Sequence, residues 1–223
     1  MSERLSRPIG MIFNGVWSQY AVATAPKYRE FIELIYVRDL GRARIERFDA
    51  LIVPFQNDHA AIAIHRNALY AFLAAGKKIA VFGDSAHWID AQWEDRPVNN
   101  YWWADDPTRP PIANTSFDHP LFSGLTPRQA CWHVHGVYTG IPKGAEVLQS
   151  NHEGEVIAWQ TKDYGGVLFA ATSDPIVEHG VQQIQHLDHF VDNLIAWLCG
   201  RRPPPDKLTV DPAAYGRPFQ RAG

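Results

Sequence analysis

Residues 76–88 read GKKIAVFGDSAHW, and they have the form of a buried strand that ends in a tight bend. Lys78–Phe82 is almost continuously apolar, as a strand covered on both faces must be. Gly83-Asp84-Ser85 follows at once, with a glycine for the bend and two residues suited to starting a helix. Immediately upstream, Ala60–Ala75 carries Ile64, Ala68, Leu69, Phe72 and Leu73 at helical spacing and stops at Gly76, a good residue just past a helix end. Before it, Asp49–Phe55 (DALIVPF) is a second unbroken apolar run. Pro8–Phe13 stops at the turn pair Asn14-Gly15, and Ile32–Val37 is β-branched and aromatic. A helix is expected to begin near Pro26 and to include Tyr28–Phe31.

Buried strands separated by helices make βαβ units, and these build a parallel sheet with helices on both faces. The expected fold is therefore α/β, a three-layer sandwich with a mostly parallel central sheet. In such sheets ligands bind beyond the carboxyl ends of the strands. That brings Asn14–Trp17, Gln56–His59, Gly83–Trp88 and the residues after the last core strand to one candidate site.

The remainder differs in character. Trp88–Pro111 holds Trp88, Trp93, Tyr101, Trp102 and Trp103 without a clean period, and reads as a long loop or short hairpin folded over the strand ends, or as a lid of aromatics over the core. From Cys131 come four strand-like runs, WHVHGVY, AEVLQS, EVIAWQT and GGVLFAAT. Val156–Trp159 and Val167–Ala171 are expected to form a hairpin across Lys162–Gly166. Leu187–Leu198 is a closing amphipathic helix ended by Gly200. Residues 201–223, rich in Pro, Gly and Arg, read as an extended tail.

Composition narrows the functions. The chain has 223 residues, 46% of them apolar and 20% charged, which suits one globular domain over residues 1–200. A net charge of −3 leaves no large basic surface for nucleic acid. No apolar run approaches the roughly 20 residues of a membrane helix. No signal peptide is expected, because no apolar core follows the first arginines. Two cysteines, Cys131 and Cys199, make no disulfide framework, and a reduced, cytoplasmic location is expected.

The order DALIVPF, helix, GKKIAVFGDSAHW, then DHPLFSGL, WHVHGVYTGIPKGAEVLQS, GGVLFAATSD and FVDNLIAWLCG resembles the class I glutamine amidotransferase-like superfamily, with its flavodoxin-like sheet. The layout is closest to the ThuA-like (trehalose utilisation) branch. The resemblance spans about Ile9 to Gly200 and implies a carbohydrate-related role more than a defined reaction. That fold carries a nucleophile at G-x-C-x-G. Here the stretch is Gly83-Asp84-Ser85-Ala86-His87, with Ser85 in the cysteine's place and His87 in the second glycine's. The Gly-rich turn after the third strand is replaced by Gln56-Asn57-Asp58-His59. Where the fold has H-P-E after the late strand, this chain has Thr172-Ser173-Asp174-Pro175, and the next histidine is His179. Glutamine amidotransfer is therefore not expected.

Ser85 has two readings. As a nucleophile it needs a base, with His179, His87 or His59 as candidates and Asp174 as the acid. Alternatively it caps a helix. Asn14, Trp17, Asp58, His59, Asp84, His87 and Trp88 are candidate substrate-binding groups: amides, carboxylates and imidazoles for hydroxyls, and flat rings for the C–H faces of a sugar. His133 and His135 alternate on one strand face, and His186 and His189 lie three apart on the final helix. Without a third ligand at a tell-tale spacing neither pair makes a metal site, so no metal or cofactor is assigned. His119, in the DHPLF turn, is most simply structural. Three functions stay open: an enzyme acting on a small polar metabolite such as a sugar, a non-catalytic ligand-binding domain, and a homo-oligomer that exchanges the hairpin or tail.

Overall fold

The computed structural model describes residues 7–85, 87–182 and 187–204. His186 and most of the tail lie outside the described residues. Ten strands form one sheet: β1 Ile9–Phe13, β2 Ile32–Tyr36, β3 Ala50–Val53, β4 Lys78–Phe82, β5 Gln92–Glu94, β6 Asn114–Thr115, β7 Val137–Gly140, β8 Glu146–Ser150, β9 Val156–Thr161 and β10 Val167–Ala171. The order is β2-β1-β3-β4-β10-β9-β7-β5, and β8 joins β9 and β6 off this path. The α-helices are α1 Trp17–Thr24, α2 His59–Ala63, α3 Arg66–Ala74, α4 Trp102–Asp105, α5 Pro175–Gln182 and α6 Asp188–Cys199.

Burial alternates with the pleat. Ala50 and Ile52 of β3, Ala80 and Phe82 of β4, and Phe169 and Ala171 of β10 belong to one core, with Val22, Ile176, Phe190 and Leu194 of α1, α5 and α6. Leu51, Val53, Ile79, Val81, Leu168 and Ala170 belong to the other, with Ile62, Leu69, Phe72 and Leu73 of α2 and α3. The three central strands are thus apolar on both faces, as their continuous runs require, and the architecture is an α/β sandwich.

Three expectations change. The sheet is mixed, not mostly parallel: β2, β1, β3, β4 and β10 run parallel, but β9, β7 and β5 continue it antiparallel. Strands β7 to β10 are joined in succession by turns too short for a helical crossover. The first helix lies at Trp17–Thr24, ahead of Pro26, and Tyr28–Phe31 forms turns in which Tyr28 fills the core. The segment 60–75 is two helices, separated at Ile64-His65. The 88–111 segment adds β5 to the far sheet edge and ends in the short α4. The hairpin β9–β10 forms as expected. No described helix is long and apolar enough to cross a membrane.

Gly166, at the turn into β10, sits so close to the end of α3 that a Cβ would overlap Lys77 O and stand 2.6 Å from Leu73 O. Backbone cannot yield as a flexible side chain does. Gly166→Ala is expected to destabilise the protein by at least about 2 kcal/mol in urea unfolding. Gly144→Ala, whose Cβ meets only the end of exposed Asp163, is expected to cost less than about 0.5 kcal/mol.

Candidate functional site

The ends of β1, β3, β4 and β10 lie side by side. Gly83 N donates to Ala171 O (2.8 Å), which ties the bend after β4 to the end of β10. Gly83 has φ +85°, and a Cβ there would run into Phe55 Cδ2. Phe55, at the end of β3, therefore lies directly on the bend. Its ring also stacks on His135, at 4.2 Å between centroids and 11° between planes. His135 Nε2 is 2.9 Å from Asp174 Oδ2. The backbones of this pair are themselves zipped: His135 N donates to Thr172 O, and Asp174 N donates to His133 O. Asp174 is buried, and its Oδ1 has no hydrogen-bond partner among the described residues, nor do the Thr172 and Ser173 hydroxyls beside it. His133 packs 6.5 Å from His135 and 5.9 Å from the exposed Tyr101 ring, and burial holds its imidazole below the usual value.

Asn14 closes the other side. Its Nδ2 donates to Gln56 O, and its backbone N–H donates to Gln19 Oε1. Gln56 is the sole non-glycine with positive φ (62°) among the described residues. Asp58 caps the short α2, accepting from Ala61 N at 2.9 Å. Asp84 Oδ2 lies 3.5 Å from His87 Nε2, both partly exposed.

The expected relay around Ser85 does not assemble. The Ser85 hydroxyl is fully buried and pairs with Tyr138 OH at 3.0 Å, a phenol that burial pushes well above its usual range. His179 instead donates from, or accepts at, Nε2 with Asp188 Oδ1 (2.7 Å) and packs edge-on against Tyr28, so it ties α5 to α6. Asp174 pairs with His135. The three residues read as catalytic thus have separate partners, and neither His87 nor His59 bonds Ser85. Trp17 is exposed and touches Tyr20 (5.6 Å). Trp88 and Trp102 are buried, so they offer no face to a sugar. His119 joins the DHPLF turn to β9 through Gln160. Among the described residues no group of three His, Cys, Asp or Glu is arranged to hold a metal.

No family model and no curated protein matches the sequence. Solved structures do. A GMP synthase subunit protein from Thermoplasma acidophilum aligns over 86% of this chain and 93% of its own, at 15% identity and TM-score 0.58. Cytoplasmic protein STM3548 from Salmonella typhimurium aligns over 86% and 98%, at 9% identity and TM-score 0.55. The chain has the class I glutamine amidotransferase-like fold. A ThuA-like protein from Bacteroides uniformis ATCC 8492 aligns over 87% and 91%, at 14% identity and TM-score 0.48.

The bend after β4 turns at Gly83, but no helix follows it among the described residues: residues 87–90 form turns and bends and β5 comes next, so Ser85 faces inward and caps no helix, contrary to the expectation. The turn after β3 keeps a left-handed residue, Gln56, without a glycine to ease it. His135, from the segment before β7, stands beside Asp174, the residue that follows the late strand.

His59 shows what burial does nearby. Trp88 Nε1 donates to its Nδ1 (3.2 Å), so the ring proton sits on Nε2, which has no partner among the described residues. Burial pushes its pKa down to about 4, against weaker upward pulls from Asp84 and Asp58. The unfolded chain binds this proton near pH 6.5 and the folded chain does not. Stability therefore falls as pH drops from about 6.5 towards 4, by about 3 kcal/mol in all. Urea unfolding across that range is expected to show the slope, and His59→Gln is expected to flatten it.

Proposed function

We propose that this protein is a ThuA-like member of its fold that binds and acts on a small polar molecule such as a carbohydrate, in the hollow over the ends of β1, β3, β4 and β10, and that it is not an amidotransferase. The observation that carries the reading is the stack of Phe55 on His135, with Asp174 behind it. Around it stand the partly exposed Asp84 carboxylate, the His135 imidazole and the Asn14 amide. That is a mixture a polyol uses: hydroxyls bond the polar groups, and C–H faces cover an exposed ring, here that of Trp17 beside Asn14. Against amidotransfer stand the positions of the thiols: Cys131 is buried in the small core beside Ile112 and Val134, and Cys199 ends α6. A cytoplasmic location belongs to the same reading.

A second reading, a non-catalytic ligand-binding domain, is favoured by the inward-turned Ser85. In that case Ser85→Ala and His179→Gln leave ligand affinity unchanged and no turnover accompanies binding.

Thermal unfolding and calorimetry with a panel of mono- and disaccharides, trehalose included, test the proposal. A bound sugar at 100 times its Kd is expected to stabilise by about 2.7 kcal/mol and raise the midpoint by several degrees. Asp84→Asn is expected to weaken binding about tenfold. Glutamine is expected to yield no ammonia. Glutamine hydrolysis, or a panel with no stabilising member, would sink the reading.

A further inference from the structure

We propose that His135, positioned by Asp174, is a general base that activates water, so that the hollow carries out hydrolysis of a small neutral ester without a covalent enzyme intermediate. The proposal rests on the strand-end hollow being the ligand site. His135 Nε2 faces Asp174 Oδ2 at 2.9 Å, which leaves Nδ1 as the ring nitrogen turned away from the carboxylate. Nδ1 has no hydrogen-bond partner among the described residues.

The pair is asymmetric: the Asp174 side chain is 6% exposed and that of His135 is 32% exposed. The carboxylate is withdrawn from water, and His135 is its sole side-chain hydrogen-bond partner among the described residues. The imidazole is the member of the pair that solvent and a ligand can reach. Orientation is set in advance from both sides, by the backbone pairing of His133–His135 with Thr172–Asp174 and by the Phe55 ring stacked on the imidazole. A buried carboxylate behind a partly open imidazole fixes the tautomer and stabilises the imidazolium once it forms. Among the described residues, Asp174 pairs with His135 from the end of β10, His133 lies 6.5 Å away on its own segment, and the apolar Phe55 stacks on it from the end of β3.

The step closes without a co-reactant. His135 Nδ1 removes a proton from water as the water oxygen bonds the ester carbonyl carbon. The tetrahedral intermediate then breaks its bond to the alkoxy oxygen, which takes the proton back from Nδ1. An acid and an alcohol leave, and Asp174 exchanges no proton in either step. Ser85 has no part in this, because its hydroxyl is sealed against Tyr138.

p-Nitrophenyl acetate probes the base directly. His135→Gln is expected to lower kcat at least about tenfold with KM nearly unchanged. With added imidazole, His135→Gly is expected to regain rate beyond what imidazole alone gives with the same ester, a surplus that a structural role would not give. Asp174→Asn is expected to lower kcat at least about tenfold while circular dichroism stays that of the parent. Mass spectrometry of the quenched protein is expected to find no acetyl group on Ser85 or His135. A rate equal in parent and His135→Gln, no surplus rescue by imidazole, or an acetyl group on Ser85 or His135 during turnover would overturn the proposal. Sugar binding read on the same variants separates the two ideas. If binding fails and the ester rate still depends on His135, the polyol reading falls and the base stands. If binding holds and the rate ignores His135, the base falls alone.

Discussion

The hollow depends on the absence of a methyl group. At residue 83 any Cβ would collide with Phe55, so the bend after β4 can lie against that ring only as glycine. The contact holds Phe55 at the height where it can stack on His135, and His135 in turn meets Asp174 across the strand end. Three separate chain segments, residues 54–56, 83–85 and 133–135, are thereby locked to a fourth, 172–174, through one ring and a pair of backbone ladders. The positive φ at Gln56, which costs about 1–2 kcal/mol for a residue with a side chain, is the strain the same arrangement stores next to Phe55.

Much of the sandwich can be read from the chain itself. DALIVPF and KIAVF are apolar at every inward position because each face of β3 and β4 meets a different helical layer, and no other arrangement tolerates such runs. The direction of the later strands is harder to see. The apolar runs in EVIAWQT and GGVLFAAT mark strands but carry no sign of which way a neighbour runs; the short Lys162–Gly166 turn is the one clue, and it points correctly to β9–β10. α1 is hidden in the sequence because Trp17–Thr24 has little amphipathic contrast, and its buried Ser18 and Gln19 read as surface residues. Gln19 is buried because it bonds Asn14 N and Phe55 O, and the second of these is a long-range partner that local pattern cannot reveal.

The candidate site is legible in outline and not in its pairings. The strand-end rule places Asn14, Asp84 and Asp174 near one another, because position along a parallel strand follows from topology. Partnership does not. His135 and Asp174 are 39 residues apart, and Ser85 and Tyr138 are 53 apart. Nothing in the bend's local pattern distinguishes a hydroxyl that points into the hollow from one that points into the core. Tryptophans mislead for a related reason: Trp88 follows the bend directly, yet its ring lies beneath α2, where it bonds His59.

The sealed Ser85 also bears on how such a protein is found. Fluorophosphonates and other activity-based reagents enrich hydrolases by trapping an accessible, activated alcohol, and an alcohol locked to a phenol inside a core gives them nothing to capture. Proteins built this way would pass unlabelled through a survey of serine enzymes.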